Sequence, residues 1–248
     1  QQLQSLPSER CNDSVFLRRL SLDFTGLLPT AEQSRHFLTD TASDKRLRLI
    51  DTLLNSEEFA RFQALKKADL MRVSPARLKE GRAGVFSEWL VSAMRTNMPY
   101  DRFARAILTA EGDTERVPTA NYFLAIPSME ERTEMTAQIF MGTRIECTKC
   151  HNHPFENWTM RDYYRIAAVF ARTKNEGETI TLASTGEAQH PTTHEVMTPW
   201  GMTSQQQQNH VERRTAFAEW LTSPDNPYFA RVEVNRIWAD LMGRGIVE

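Results

Sequence analysis

Three residues in the middle of the chain combine side chains that bind metals and prosthetic groups at a very short spacing. Cys147 and Cys150 are separated by two residues, and His151 follows directly. On a helix, residues at i, i+3 and i+4 share one face, so two thiols and one imidazole would point the same way. The C-x-x-C-H pattern is typical of covalent haem attachment, in which the thiols hold the porphyrin and the imidazole binds its iron.

Other sites use the same residue types. A zinc or iron site could take Cys147, Cys150, His151 and His153, which supply the four donors of a tetrahedral site. However, all four donors lie within seven residues, and a helix cannot easily wrap them around one ion. A thioredoxin-like redox pair is disfavoured because no βαβ pattern surrounds the cysteines. A buried cysteine pair beside a surface histidine is the plain structural alternative.

The histidines and methionines downstream of the motif decide what an attached haem would do. His151 would fill one axial position of the iron, and the other is either filled, as in electron carriers, or open to a ligand. We expect His190 to be the first candidate for the second ligand, followed by His194 and then a loop methionine. His153 follows His151 too closely to reach the opposite haem face, so we expect it to hydrogen-bond the backbone or a propionate.

The elements that must position these residues are helical. Capping-box patterns at Thr30, Ser128 and Thr159, each with Gln, Glu or Asp three residues on, predict helix starts. The second predicts a helix over residues 128–152, with the motif at its C-terminal end. A short stretch, Thr179–Leu182, predicts a strand that could form half of a hairpin. The sequence therefore predicts a mainly α protein with a long irregular loop and the first helices of a second unit.

The charge and the hydropathy of the chain argue against two classes of protein, nucleic-acid-binding proteins and membrane-spanning proteins. The 248 residues carry 30 Lys and Arg against 32 Asp and Glu, a net charge of −2, so the global basic footprint of a nucleic-acid-binding protein is absent. The longest strictly apolar run, residues 166–171, is far shorter than the roughly 18 residues of a membrane span. The N-terminal residues lack the pattern of a signal peptide. We expect that a signal peptide preceded them and has been cleaved off. Three cysteines are too few for a disulfide framework, and Cys11 stands alone.

A shift in composition suggests the domain boundaries. Residues 174–209 are rich in Gly, Pro, Ser and Thr and contain the four glutamines Gln205–Gln208, which are typical of a loop or linker. We therefore expect a helical domain over residues 1–173, a loop or linker over residues 174–209 and part of a further domain over residues 210–248.

Several blocks of the chain resemble one family. Residues 18–30, 99–103 and 147–155, the last reading Cys-Thr-Lys-Cys-His-Asn-His-Pro-Phe, are similar to the planctomycete-type cytochrome c domain. Residues 213–247, with Pro224–Asp225–Asn226–Pro227 and Asn235–Arg236–Ile237–Trp238, resemble the start of its usual companion domain. The resemblance implies one covalent haem c and a secreted or periplasmic bacterial protein, but no known reaction.

Motif chemistry and resemblance together predict a c-type haem protein that transfers electrons outside the cytoplasm. Its expected partners are an unidentified redox protein and the remainder of the companion domain. Two alternatives stay open: a haem enzyme or ligand binder with an open iron site, and a zinc-stabilised structural module. Whether the protein is an enzyme is left open.

Two further groups of residues have expected structural roles. Asn235 and Arg236 are expected to be polar scaffolding. The aromatic residues after the motif are expected to pack in the core or to shield the haem from water, namely Phe155, Trp158, Tyr163 and Tyr164.

Overall fold

The computed structural model describes residues 9–247 and confirms a mainly α fold. The α-helices of this part are α1 (Asp13–Thr25), α2 (Ala31–Thr39), α3 (Lys45–Leu54), α4 (Glu57–Leu70), α5 (Glu80–Arg95), α6 (Tyr100–Leu108), α7 (Asn121–Ala125), α8 (Met129–Thr136), α9 (Met160–Phe170), α10 (Ser204–Gln208), α11 (Arg213–Leu221) and α12 (Phe229–Met242). Three short strands accompany them, namely β1 (Gly112–Asp113), β2 (Thr173–Glu176) and β3 (Thr179–Leu182). None of the helices described combines the length and apolar composition needed to cross a membrane.

The described residues up to position 64 form a first compact unit. Phe16 of α1 and Phe37 of α2 stack in it, with ring centroids 6.2 Å apart. The capping box predicted for α2 is confirmed. The Gln33 backbone N–H donates to Thr30 Oγ1 at 3.1 Å, and the Thr30 N–H donates back to Gln33 Oε1 at 2.8 Å. Two donors at the helix start are thereby satisfied.

The residues from position 65 onward form the second compact unit, which contains the C-x-x-C-H motif. Within it, α9 packs against α8 and α11, and α11 also packs against α6. Thr159 caps α9 in a capping box with Asp162, as the sequence predicts. The core of this unit contains a group of aromatic side chains that are almost fully buried, namely Phe86, Phe103, Tyr122, Phe123, Phe140, Tyr163, Phe170 and Phe217. Helix α9, which begins nine residues after His151, is thus fixed on several sides.

The predicted strand Thr179–Leu182 is confirmed as β3, which forms an antiparallel hairpin with β2. Strand β1 pairs with the other side of β3, so the sheet order is β1-β3-β2. Asn175 lies opposite Ile180, and Gly177 in the connecting turn has a φ of +65°. This left-handed backbone is one that glycine adopts without strain.

Two arginines lie in the core of this unit, where burial of an unsatisfied charge would be costly. Arg132 and Arg214 are 2% and 1% exposed, and their guanidinium carbons lie 5.3 and 5.2 Å from the centroid of the Phe123 ring. Arg132 donates to the Thr173 carbonyl at 2.8 Å, and Arg214 donates to the Ala110 carbonyl at 2.7 Å. Burial lowers the pKa of Arg132 to about 10, so it remains charged at neutral pH. These arginines join separate helices and the sheet.

The single helix predicted over residues 128–152 is wrong. Helix α8 ends at Thr136 and continues only into a π-helical turn, Ala137–Met141. The chain then extends, and the motif begins on a separate 3-10 turn, Glu146–Lys149. The two cysteines and the histidine therefore occupy a tight turn of their own instead of the end of a long helix.

Gly142 explains why the helix stops. It follows the π-helical turn with a φ of +67°, and a Cβ atom built at this position would lie 2.5 Å from Val232 Cγ2. Glycine accepts both the left-handed backbone and the close approach of α12. The need for glycine at the end of the helix is thus reinforced by a residue about 90 positions further along the chain, a contact that a local sequence window cannot show.

Residues 174–209 carry more structure than an irregular linker requires. Gln189 and Val196 pair in an isolated antiparallel bridge, and α10 contains the four glutamines. Met197 is buried against Ala167 and Ala168 of α9. The segment therefore lies against the helix that follows the motif. The domain boundaries at residues 173/174 and 209/210 stay a prediction.

Candidate functional site

Backbone hydrogen bonds close a tight turn around the three motif residues. The Cys150 N–H donates to the Cys147 carbonyl at 3.2 Å, and the His151 N–H donates to the same carbonyl at 3.3 Å. Cysteines separated by one such turn project from the same side of it, as do residues i and i+3 in a 3-10 helix. The turn thus keeps the two cysteines one turn apart, and the motif does not form the α-helical face that the sequence predicts.

The turn has a buried side and an exposed side. Ile145 and Thr148 are fully buried, and the Thr148 hydroxyl donates to the Ile145 carbonyl. Cys147 is half-buried, whereas Cys150 and His151 are exposed. Both cysteines are free thiols. Ile145 and Thr148 therefore anchor the turn in the core, while Cys150 and His151 face solvent and Cys147 lies between the two environments.

The His151 ring is held by a hydrogen bond that fixes its tautomer. Its Nδ1 lies 2.8 Å from the Asn152 carbonyl oxygen. A carbonyl only accepts, so Nδ1 carries the proton and donates it. In the neutral ring this leaves the Nε2 lone pair for a metal, the arrangement that backbone carbonyls commonly impose on metal-binding histidines.

His153 and His190 are held in the opposite form. The Nδ1 of His153 accepts the backbone N–H groups of Phe155 and Glu156, at 3.2 and 2.9 Å. The Nδ1 of His190 accepts from two threonine N–H groups in the turn that follows it, both at 3.3 Å. In the neutral rings the proton is therefore on Nε2. Each of these rings stabilises a backbone turn, which for His153 is one of the two roles that the sequence suggests.

Tyr164 connects His190 to the motif turn. Its hydroxyl donates to the Lys149 carbonyl at 3.3 Å, and its ring centroid lies 6.2 Å from that of His190. Burial is the main cause that raises the pKa of the Tyr164 hydroxyl. The structure therefore places His190, the predicted second iron ligand, next to a tyrosine that is hydrogen-bonded to the motif turn.

The aromatic residues after the motif have different environments. Trp158 is 7% exposed and packs against Trp200 and Tyr228, with ring centroids 5.7 and 5.6 Å away. Tyr163 is also buried. Phe155, by contrast, is 92% exposed. Core packing is therefore wrong for Phe155, because the turn held by His153 directs its ring outward.

The other histidines and methionines of the loop lie in environments that differ from that of His190. His194 is exposed with a φ of +57°, and the exposed His210 lines a cavity of about 440 Å³ together with Met197 and Met202. Met197 is committed to the core beside α9. Of the loop histidines, His190 is the one whose ring contacts a residue bound to the motif turn.

A metal cluster is not formed around the motif. Across residues 9–247, no three His, Cys, Asp or Glu side chains lie together in a group that could hold a metal ion. Cys147, Cys150, His151 and His153 thus do not converge as a tetrahedral zinc site requires. One reason is that His153 Nδ1 is already engaged by the backbone.

Sequence reasoning missed two contacts that hold the motif region. The Thr143 hydroxyl donates to Glu156 Oε2 at 3.1 Å and so bridges the residues on either side of the motif. The Tyr163 hydroxyl donates to Glu134 Oε1 at 3.0 Å and joins α9 to α8, while burial raises the pKa of Glu134. Only the Asp-Tyr-Tyr run after the motif gave a signal, and it did not show what the hydroxyls bind.

Comparison with known proteins identifies the family of the chain through two family models. A search of the curated proteins and a search of the solved structures each found no match. The family PSD1, described as a protein of unknown function (DUF1553), matches residues 213–248. The family PSCyt2, described as a protein of unknown function (DUF1549), matches residues 1–175. These matches confirm the predicted resemblance to a planctomycete cytochrome-type domain followed by its companion, and the chain belongs to the PSCyt2 family.

Proposed function

We propose that this protein is a c-type haem protein that transfers electrons outside the cytoplasm. One haem is attached covalently through Cys147 and Cys150, and His151 is the proximal ligand. The observation that carries the proposal is the tight turn with two free thiols and an imidazole whose Nδ1 is bound to a carbonyl. Membership of a family with a cytochrome-type name supports the same assignment.

Each residue of the turn has a defined task in this proposal. Each thiol adds across one vinyl group of the haem, so that sulfur bonds to one vinyl carbon and hydrogen to the other, and no other reactant is needed. The Asn152 carbonyl orients the His151 ring, which keeps Nε2 directed to a metal. Ile145 and Thr148 fix the turn from the buried side. When bound, the haem supplies one-electron redox chemistry, and the protein tunes it through ligands and burial.

His190 is the proposed second axial ligand, with His194 and then a loop methionine next. Its ring lies beside Tyr164, which binds the motif turn. Iron coordination through Nε2 requires the Nε2 proton to leave, and the two backbone N–H bonds at Nδ1 oppose this change. The same observation favours the second candidate function, a haem enzyme or ligand binder with an open iron position.

The proposed location is the periplasm or the exterior of the cell. In bacteria, haem is attached to C-x-x-C-H outside the cytoplasmic membrane, and export through a cleaved signal peptide accounts for the chemistry of the motif. The redox partner is proposed to be a separate protein. The remainder of the companion domain is a second proposed partner, in keeping with the PSD1 match at residues 213–248.

Optical and electron paramagnetic resonance spectra of the matured protein test the carrier function. We expect a low-spin, six-coordinate iron that takes up one electron reversibly, because two strong axial ligands give that state. His190→Ala is expected to convert it to a form that binds carbon monoxide or imidazole. His36→Ala, in α2 of the first unit, is the control and should leave the spectra unchanged. A high-spin, five-coordinate iron in the unaltered protein would contradict the carrier function and favour the open-site alternative.

A further inference from the structure

The first half of α12 packs on the π-helical turn that leads into the motif. Phe229 stacks on Tyr100 with ring centroids 4.7 Å apart and lies 6.5 Å from the Phe140 ring. Val232 lies so close to Gly142 that a Cβ atom there would be 2.5 Å from Cγ2. A helix of the PSD1 segment thus contacts the cytochrome-type domain a few residues before Cys147.

Arg236 makes a polar contact between α12 and the π-helical turn. Its Nη2 donates to the Gln138 carbonyl at 3.0 Å, inside the π-helical turn. Its Nη1 lies 3.4 Å from Glu233 Oε2, and Glu233 also pairs with Lys67 Nζ. The ammonium of Lys67 lies 5.1 Å from the centroid of the Tyr100 ring. The Arg236 side chain is three-quarters buried, and its contacts with Gln138 and Glu233 hold the guanidinium in place.

The contact has the chemistry of a helix C-cap. The last carbonyls of a helix have no donor within the helix and carry its negative dipole end. Arginine side chains satisfy such carbonyls and complement the dipole. Here the backbone N–H of Gly142 returns to the Ala137 carbonyl, and Arg236 supplies the donor for the next carbonyl, that of Gln138. The cap of this helix is thus shared between its own Gly142 and Arg236 of α12.

We infer that Arg236 is a positioning residue for the haem. By capping the π-helical turn, it fixes where the chain leaves that turn and hence where Cys147, Cys150 and His151 stand. The companion segment thereby tunes the burial and the reduction potential of the iron. This inference rests on the proposed attachment of haem to the motif turn.

Arg236→Gln is the test variant, and Arg231→Gln is its matched control. Arg231 lies on the same helix and is exposed, and its replacement removes the same charge. Hydrogen exchange of the backbone amides over residues 143–150, followed by mass spectrometry of the full-length matured protein, reports the order of the turn. We expect about tenfold faster exchange in Arg236→Gln than in Arg231→Gln, since a hydrogen bond to a charged group is lost.

The reduction potential of the haem is the second readout. A less ordered turn exposes the haem to water, so the potential of Arg236→Gln should fall below that of Arg231→Gln. Arg236→Lys keeps a cationic donor and should recover both the exchange rate and the potential in part. Equal exchange rates in the two glutamine variants would overturn the inference, and so would faster exchange with equal potentials. An unaltered protein without haem would instead refute the proposed function, and with it this inference, before any variant is compared.

Discussion

Replacing both Cys147 and Cys150 with alanine is expected to remove all covalently held haem. The two cysteines are free and lie one 3-10 turn apart, Cys147 half-buried and Cys150 exposed. Without sulfur, neither vinyl group has a nucleophile, so any haem that still binds should dissociate on denaturation. Each single variant keeps one thiol and should retain haem through one bond. Intact-mass spectrometry after coexpression with the haem-attachment machinery measures these outcomes.

Cys11→Ala is the control for this experiment. Cys11 is half-buried, precedes α1 and belongs to the first compact unit, whereas the motif belongs to the second. Its loss should leave the haem content unchanged. If Cys11→Ala lost haem as fully as the double variant did, the assignment of the attachment site to the motif turn would be wrong.

Gly142→Ala is expected to lower the free energy of unfolding strongly. The φ of +67° imposes strain of about 1 kcal/mol on a residue with a Cβ atom, and contact with Val232 adds about 2 kcal/mol of overpacking. Both effects act at the end of the π-helical turn, five residues before Cys147. The free energy of unfolding in urea should therefore fall by about 3 kcal/mol.

Gly177→Ala separates the two contributions. Gly177 has nearly the same φ, +65°, but a Cβ atom there would meet nothing within 4 Å. Its replacement should cost only the backbone strain, about 1 kcal/mol. Equal losses in the two variants would mean that α12 exerts no steric pressure at Gly142, and the close approach of Val232 would then not be a reason for glycine at this position.

Local patterns predicted the helix starts well. Thr30 and Thr159 cap helices with partners three residues away, and such hydrogen bonds depend on neighbours in sequence. The end of the helix before the motif was mispredicted because the helical pattern was continued past Gly142, which ends the helix with a left-handed backbone. Glycine inside a helix and glycine at a helix end look alike in the sequence. The contact that excludes a Cβ atom at Gly142, the close approach of Val232, is tertiary and comes from about 90 residues away.

The same distinction holds within the candidate site. The spacing of Cys147, Cys150 and His151 is enough to indicate which residues act together. It cannot show that the Asn152 carbonyl holds His151 in one tautomer while backbone N–H groups hold His190 in the other. Nor did hydropathy anticipate that Phe155 lies outside the core, because its outward direction follows from the turn that His153 stabilises.

The most direct test of covalent haem attachment is haem staining of the matured, unaltered protein after boiling in denaturant and electrophoresis, with metal analysis of the same preparation. Thioether bonds to Cys147 and Cys150 survive denaturation, so the stain should stay on the protein band, with one iron per chain. Loss of the stain together with one zinc per chain would contradict covalent haem attachment and establish the metal-stabilised structural module in its place.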